Sequence, residues 1–248
     1  MLGMTYHEYV KSTCSICGVS TSTVGSELNH SDKWWHQLTV STLVCQACHD
    51  AIHWLPKPQL IDMGELDNDQ LKEAFSLSVQ TASTYGGVLR QAMLNFKHHD
   101  DIASLPMLIH AIRQLPRPSG CHAGNAIILP MPTTAKRIGN RGFDPVTILS
   151  RYLSKHWRLP LWHGVSRVDD GISQQGLGRQ ERRDNIKGAF ALTNPLPDKP
   201  YRHIILFDDV VTTGSTLKEL AFSLINSTQF PYNILHLSAY AILGGKRP

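Results

Sequence analysis

Residues 204–217 read IILFDDVVTTGSTL, and no other stretch of the chain restricts its fold so tightly. Ile204, Ile205, Leu206 and Phe207 form an unbroken apolar run, the mark of a strand buried on both faces in a parallel sheet. Two acids, Asp208 and Asp209, stand at its C-terminal end, and a turn rich in hydroxyls then opens a helix. Strand ends of this kind are where open α/β sheets bind ligands. Amides left free at the helix start, with the hydroxyls of Thr212, Thr213, Ser215 and Thr216, suit a phosphate group. Gly214 lets the backbone approach it closely. The paired carboxylates just before this cradle suit ribose hydroxyls or a water-bridged Mg²⁺. The plain structural alternative is a strand, a capped turn and acids facing solvent, but adjacent carboxylates at a strand end call for a further reason. A Walker A loop is excluded, since no lysine accompanies Thr213-Gly214-Ser215.

The rest of the chain supplies the alternation that such a strand requires. Strands are expected over 75–81, 126–129, from Leu161, and over 190–192, 202–207 and 234–240. Helices are expected over 88–96, 102–115, 146–156 and 217–225. Residues 130–144 read as a loop after the 126–129 strand, and 171–187 as a polar, basic, mobile excursion. With 248 residues, 42% of them hydrophobic, the chain suffices for one α/β domain and a small appendage. The net charge of +4 permits anionic ligands. No apolar run nears the ~20 residues of a membrane span, so no membrane insertion is expected. Residues 1–11 lack the pattern of a secretory signal, and a cytoplasmic location is expected.

The appendage is defined by its cysteines. Cys14 and Cys17 form one C-x-x-C pair, Cys45 and Cys48 a second, with 27 residues between the pairs. Each pair can grip one side of a tetrahedral ion, and four thiolates favour Zn²⁺ in a closed structural site. His30, His36, His49 and His53 lie nearby and read as surface or supporting residues. Cys121 stands alone and reads as a buried or incidental thiol. The expected division is therefore 1–58 for a zinc-ribbon-like module, 59–120 for connecting elements packed on the core, and 121–248 for the core.

The 204–217 pattern resembles the motif by which type I phosphoribosyltransferases bind 5-phosphoribosyl-1-pyrophosphate (PRPP). Further matches narrow the resemblance: Tyr85-Gly86, Leu89-Arg90 and Lys97; Pro130-Met131-Pro132 followed by Lys136-Arg137 and Arg141-Gly142-Phe143; then Gln174, Leu177, Arg182, Asn185 and Ala189-Phe190. With the two C-x-x-C pairs, they make the chain similar to the ComF/GntX family over nearly its whole length. One departure is Asp144, where Asn is expected after Arg-Gly-Phe.

The resemblance implies a type I phosphoribosyltransferase core, a parallel sheet flanked by helices, with a role in DNA uptake during natural competence and partners in the uptake machinery. It makes PRPP with Mg²⁺ the expected ligand, held by Thr212, Thr213, Gly214, Ser215 and Thr216. Arg137 and Arg141 would face the pyrophosphate, where a guanidinium pairs bidentately. Residues 174–187 would be a hood over the ribose, and Arg182 and Asn185 join Asp208 and Asp209 as catalytic candidates. A reaction would displace pyrophosphate from the ribose C1 by a nitrogen nucleophile; a non-catalytic PRPP sensor is the alternative. A second class of function also stands. Lys136, Arg137, Arg141, Arg151, Lys155 and Arg158, with Trp157 and Trp162, would track the phosphates of single-stranded DNA and stack its bases.

Overall fold

The structure, a computed structural model, describes residues 13–20, 43–55, 57–62, 76–99, 101–167, 189–225, 227 and 236–245. Gln174, Leu177, Arg182 and Asn185 lie outside the described residues, as do His30 and His36.

Five strands form one sheet in the order β1-β2-β7-β6-β3. β2 (Ser76–Thr84), β7 (His236–Gly244), β6 (His203–Val211) and β3 (Ala126–Pro130) run parallel, and β1 (Gln59–Asp62) is an antiparallel edge. Every residue of β3 is buried, and Ile204, Ile205, Leu206 and Phe207 are wholly so. That burial on both faces is why these strands carry continuous apolar runs. Residues 59–120 thus give two strands to the sheet that 121–248 completes. A separate antiparallel pair joins β4 (Val165–Arg167) to β5 (Phe190–Leu192).

The helices follow from apolar residues spaced along one face. In α2 (Gly87–His98) these are Leu89, Met93 and Phe96; in α3 (Leu105–Gln114), Leu108 and Ile112; in α5 (Pro145–Trp157), Leu149, Leu153 and Trp157. The expected helix over 102–115 is a short 3-10 turn, Ile102–Ser104, running into α3. α2, α3 and α5 pack on one another in that order, and α5 also lies on β3 and β6. α6 (Ser215–Ile225) buries Leu217, Leu220, Ala221 and Leu224 and packs against β5. Among the described residues, no helix is long and apolar enough to cross a membrane.

Two expectations need correction. The stretch 130–144 is not all loop, because it holds α4 (Ala135–Arg141). Thr134 caps that helix by accepting the Arg137 amide, and Gly142 ends it with φ of +81°, a left-handed conformation that glycine adopts without strain. The acids also do not end their strand: β6 runs on through Asp208 and Asp209 to Val211.

The path of the chain decides where a ligand can sit. After β3 it moves outward, where Leu161 bridges in parallel to Ile128; after β6 it moves inward to β7. Right-handed crossovers then place their helices on opposite faces. The strand order reverses between β3 and β6, which leaves a crevice at their C-terminal ends.

Candidate functional site

That crevice is a cavity of about 490 Å³. Met131, Pro132 and Thr133 reach it from the end of β3, and Asp208, Asp209 and Thr216 from β6 and the start of α6. Arg137, Asn140 and Arg141 come from α4, Asp144, Pro145 and Val146 from the start of α5, Lys97 and His98 from the end of α2, and Arg167 from β4. Several cations therefore face a carboxylate pair across one space.

Asp209 is buried, and its Oδ2 lies 2.6 Å from Lys97 Nζ. Asp208 is partly buried, and its Oδ1 accepts the Asp209 amide at 2.8 Å. Burial, then the negative charge of Asp209, push the Asp208 carboxyl up to about 7, with Lys97 pulling the other way. Elsewhere in the lining, burial and the positive charges of Arg141, Lys97 and His99 push His98 below its ordinary range. An anion entering the cavity would relieve this repulsion.

The expected site residues are distributed as follows. Asp208, Asp209, Thr216, Arg137 and Arg141 meet in the cavity, while Thr212, Thr213, Gly214 and Ser215 are not among its walls. Thr212 and Thr213 are exposed, and the Thr213 hydroxyl lies 3.0 Å from that of Ser215. Gly214 adopts φ of +74° as the chain turns into α6. Arg182 and Asn185 fall outside the described residues. Asp144 lines the cavity, but its carboxylate caps α5, accepting from the Val146 amide and the Thr147 hydroxyl. Its acid charge at the helix N-terminus is favourable there, which accounts for the departure at this position.

Lys97 and His98 are site residues that the motif reading did not assign. The signal for them was indirect, a basic pair closing an amphipathic helix, and its partner Asp209 lies far along the chain.

The tryptophan part of the expected DNA groove is corrected. Trp157 and Trp162 are 2% and 5% exposed. Trp157 packs edge-on to Tyr240 and donates to the Leu115 carbonyl, and Trp162 donates to that of Pro195. Both are core residues, and neither offers a face to a base.

The second cluster is that of Cys14, Cys17, Cys45 and Cys48, whose sulfurs all lie within 4.8 Å of one another. Cys17 Sγ and Cys45 Sγ are 3.7 Å apart, where two thiolates on one tetrahedral zinc would be about 3.8 Å apart. The first pair sits in a knuckle closed by the Gly18 amide donating to the Cys14 carbonyl, and the second begins α1 (Gln46–Asp50). Burial pushes the Cys14 thiol up, but amides of Cys17, Cys45 and Ile16 outweigh it and bring it down to about 6. Cys48 goes up to about 12 through burial, hydrogen bonds within the cluster and the charge of Cys14. Four thiols this close cannot all ionise without a cation among them. The cluster fits a zinc module.

Contacts tie this module to the core. His49 Nδ1 lies 2.9 Å from His110 Nε2 on α3, Trp54 stacks on His49, and the Ser83 hydroxyl donates to the His53 carbonyl. Cys121 stands apart, buried, with its sulfur 3.0 Å from His203 Nδ1. Burial raises that thiol and lowers His203 to about 4, so both are neutral and the sulfur is a poor nucleophile.

No protein-family model matches the chain. It is 39% identical over 116 residues to Competence protein F of Haemophilus influenzae, covering 46% of this chain and 50% of that protein. It is 33% identical over 138 residues to DNA utilization protein YhgH of Escherichia coli O157:H7, covering 54% and 59%. The protein of the same name in Salmonella typhimurium is 30% identical over the same length. The chain thus spans about half the length of the curated relatives it matches.

Proposed function

We propose that this chain, similar to Competence protein F and DNA utilization protein YhgH over about half its length, is of the ComF type. In this reading it binds PRPP with Mg²⁺ in the crevice between β3 and β6 and acts in the cytoplasm in DNA uptake, beside partners of the uptake machinery. One observation carries the reading: at the point where strand order reverses, a carboxylate pair faces a wall of cations across a single cavity. A phosphorylated ribose needs both. Its hydroxyls are acceptable partners for Asp208 and Asp209, and its anionic groups for Arg137, Arg141 and the start of α6 near Thr216. The relatives' names, competence and DNA utilization, support the cellular role.

Bound Mg²⁺ would neutralise pyrophosphate oxygens and, through water, a carboxylate. Asp208 and Asp209 are the residues placed to hold that water, while Arg137 and Arg141 orient the anionic end. We propose the core to be of the type I phosphoribosyltransferase kind, with Zn²⁺ in the cysteine module as a structural ion. Calorimetry with PRPP and Mg²⁺ tests the ligand: wild type should bind, and Asp208→Ala with Asp209→Ala should not. Equal binding by the double variant would sink the site assignment.

A second reading has its own observation. Between residues 102 and 168 the one acid is Asp144, against nine lysines and arginines. Six of them, Arg113, Lys136, Arg137, Arg141, Arg151 and Lys155, lie on α3, α4 and α5, so these helices form a positively charged layer without an acid of their own. Phosphates of single-stranded DNA fit such a layer, by charge and without tryptophan stacking. Binding should then weaken steeply with salt through counterion release. Fluorescence anisotropy should show weaker binding for Arg151→Glu with Lys155→Glu; unchanged affinity in that variant would remove the reading.

A further inference from the structure

Lys97 is a charged group of the cavity to which the binding role gives no part. It lies in the last turn of α2, whose Leu89, Met93 and Phe96 are anchored in the core, so the ammonium reaches the cavity from a fixed helix. Its side chain is 18% exposed and that of Asp209 7%, with 2.6 Å between Nζ and Oδ2. An ammonium and a divalent cation cannot both occupy that oxygen, because like charges at contact distance in a half-buried site repel strongly. Elsewhere the lining holds the cations Arg137 and Arg141, while the acids are Asp144, engaged in capping α5, and Asp208, which accepts the Asp209 amide. A lysine that gives up Asp209 therefore has an anionic ligand as its natural new partner.

We infer that Lys97 is an exchangeable counter-cation built into the site, an inference that rests on the PRPP reading for its second half. In the free protein Lys97 neutralises Asp209 and holds the place of a divalent cation. When a phosphorylated ribose arrives with such a cation, Lys97 releases Asp209 and turns its ammonium to the phosphate oxygens. The carboxylate is then free for the ribose hydroxyls or the cation's water. Metal alone binds weakly, metal and phosphorylated ligand bind together, and an unphosphorylated pentose gains nothing from the exchange. Lys97 is in this account a specificity residue for the phosphate.

The test uses zinc-loaded full-length protein and two probes, Mn²⁺ alone and PRPP with Mg²⁺. Lys97→Met should bind Mn²⁺ about tenfold more tightly than wild type, as expected on losing an adjacent positive charge. Lys97→Arg should restore the weak binding, and Asp209→Asn should abolish the gain when combined with Lys97→Met. PRPP affinity should fall about tenfold in Lys97→Met and recover in Lys97→Arg. If Lys97→Met does not fold, as judged by circular dichroism, Lys97→Gln takes its place, since its amide can still donate to Asp209. Mn²⁺ binding that is no tighter in the variant, or undetectable in both proteins, overturns the inference. Tighter Mn²⁺ with unchanged PRPP affinity overturns the transfer of the ammonium to phosphate. Should no protein bind PRPP, the ligand reading falls, and the Mn²⁺ comparison still decides whether Lys97 occupies a cation's place.

Discussion

The chain contains two clusters of acidic groups, and they are balanced in opposite ways. Among the described residues, the four thiols of the N-terminal module crowd within 4.8 Å, and beyond burial the groups that shift Cys14 are backbone amides and a neighbouring thiol. The two carboxylates of β6 are neighbours along the strand, but α2 brings Lys97 to one of them. Among the described residues no side-chain cation shifts Cys14 or Cys48, so a metal such as zinc is the counter-charge that suits the first cluster. The second carries its own, so the core can fold without a ligand and still exchange the lysine later. Where the counter-charge comes from distinguishes a structural site from a binding site.

The largest effect should come from depriving the first cluster of its cation. Zinc held by four thiolates contributes apparent folding free energy of about 10–16 kcal/mol in small peptides. Elemental analysis should find one zinc per chain, and Cys14→Ala or strong chelation should unfold the module while the core keeps its cooperative melt. A module that survives metal-free would erase the contrast.

For the second cluster the cost should be smaller and internal. Asp209→Ala leaves a half-buried ammonium without its partner, a loss of about 3 kcal/mol, at the low end for a buried pair because Lys97 keeps some exposure. Urea denaturation measures it. Asp209→Asn combined with Lys97→Met should recover most of the loss; failure to recover would mean that Asp209 supports the fold by some other contact.

Acid should act through buried histidines rather than through either cluster alone. Burial holds His110 and His203 neutral down to about 4, below their unfolded value near 6.5. The unfolded chain therefore binds more protons in that window, and stability is lost as pH falls from about 6.5 to about 4. His203→Gln should flatten the fall, and an unchanged slope would count against this cause.

Asp208 acts in the opposite direction, on the alkaline side. Its raised carboxyl means that the folded state prefers the proton, so ionisation costs stability as pH rises from about 4 through about 7. Asp208→Asn should raise the melting temperature at pH 8, by less at pH 5, and leave it unchanged below about pH 4. A variant less stable at pH 8 would show that the charge is satisfied in the free protein.

What was legible in the sequence was local. Continuous apolar runs announced β3 and β6, because burial on both faces leaves no polar register to keep. The C-x-x-C spacing announced the thiol cluster, because each pair is close by covalent reach alone. α4 was missed although Thr134 and Gly142 are ordinary cap signals, since the helix buries no residue and shows no apolar period. Lys97 on Asp209 was not legible as a contact, because only the packing of α2 in the core brings them together. Trp157 and Trp162 misled for the same reason: a basic neighbourhood in sequence does not say which ring faces inward.

In the proposed complex one crevice holds both ends of a phosphorylated ribose. Hydrogen–deuterium exchange with and without PRPP and Mg²⁺ tests it most directly, since it locates the contact as well as detecting it. The account predicts protection in peptides spanning 208–217 and 131–142, with little change across 43–55. Protection absent from both of the first two regions, or confined to one of them, would contradict it.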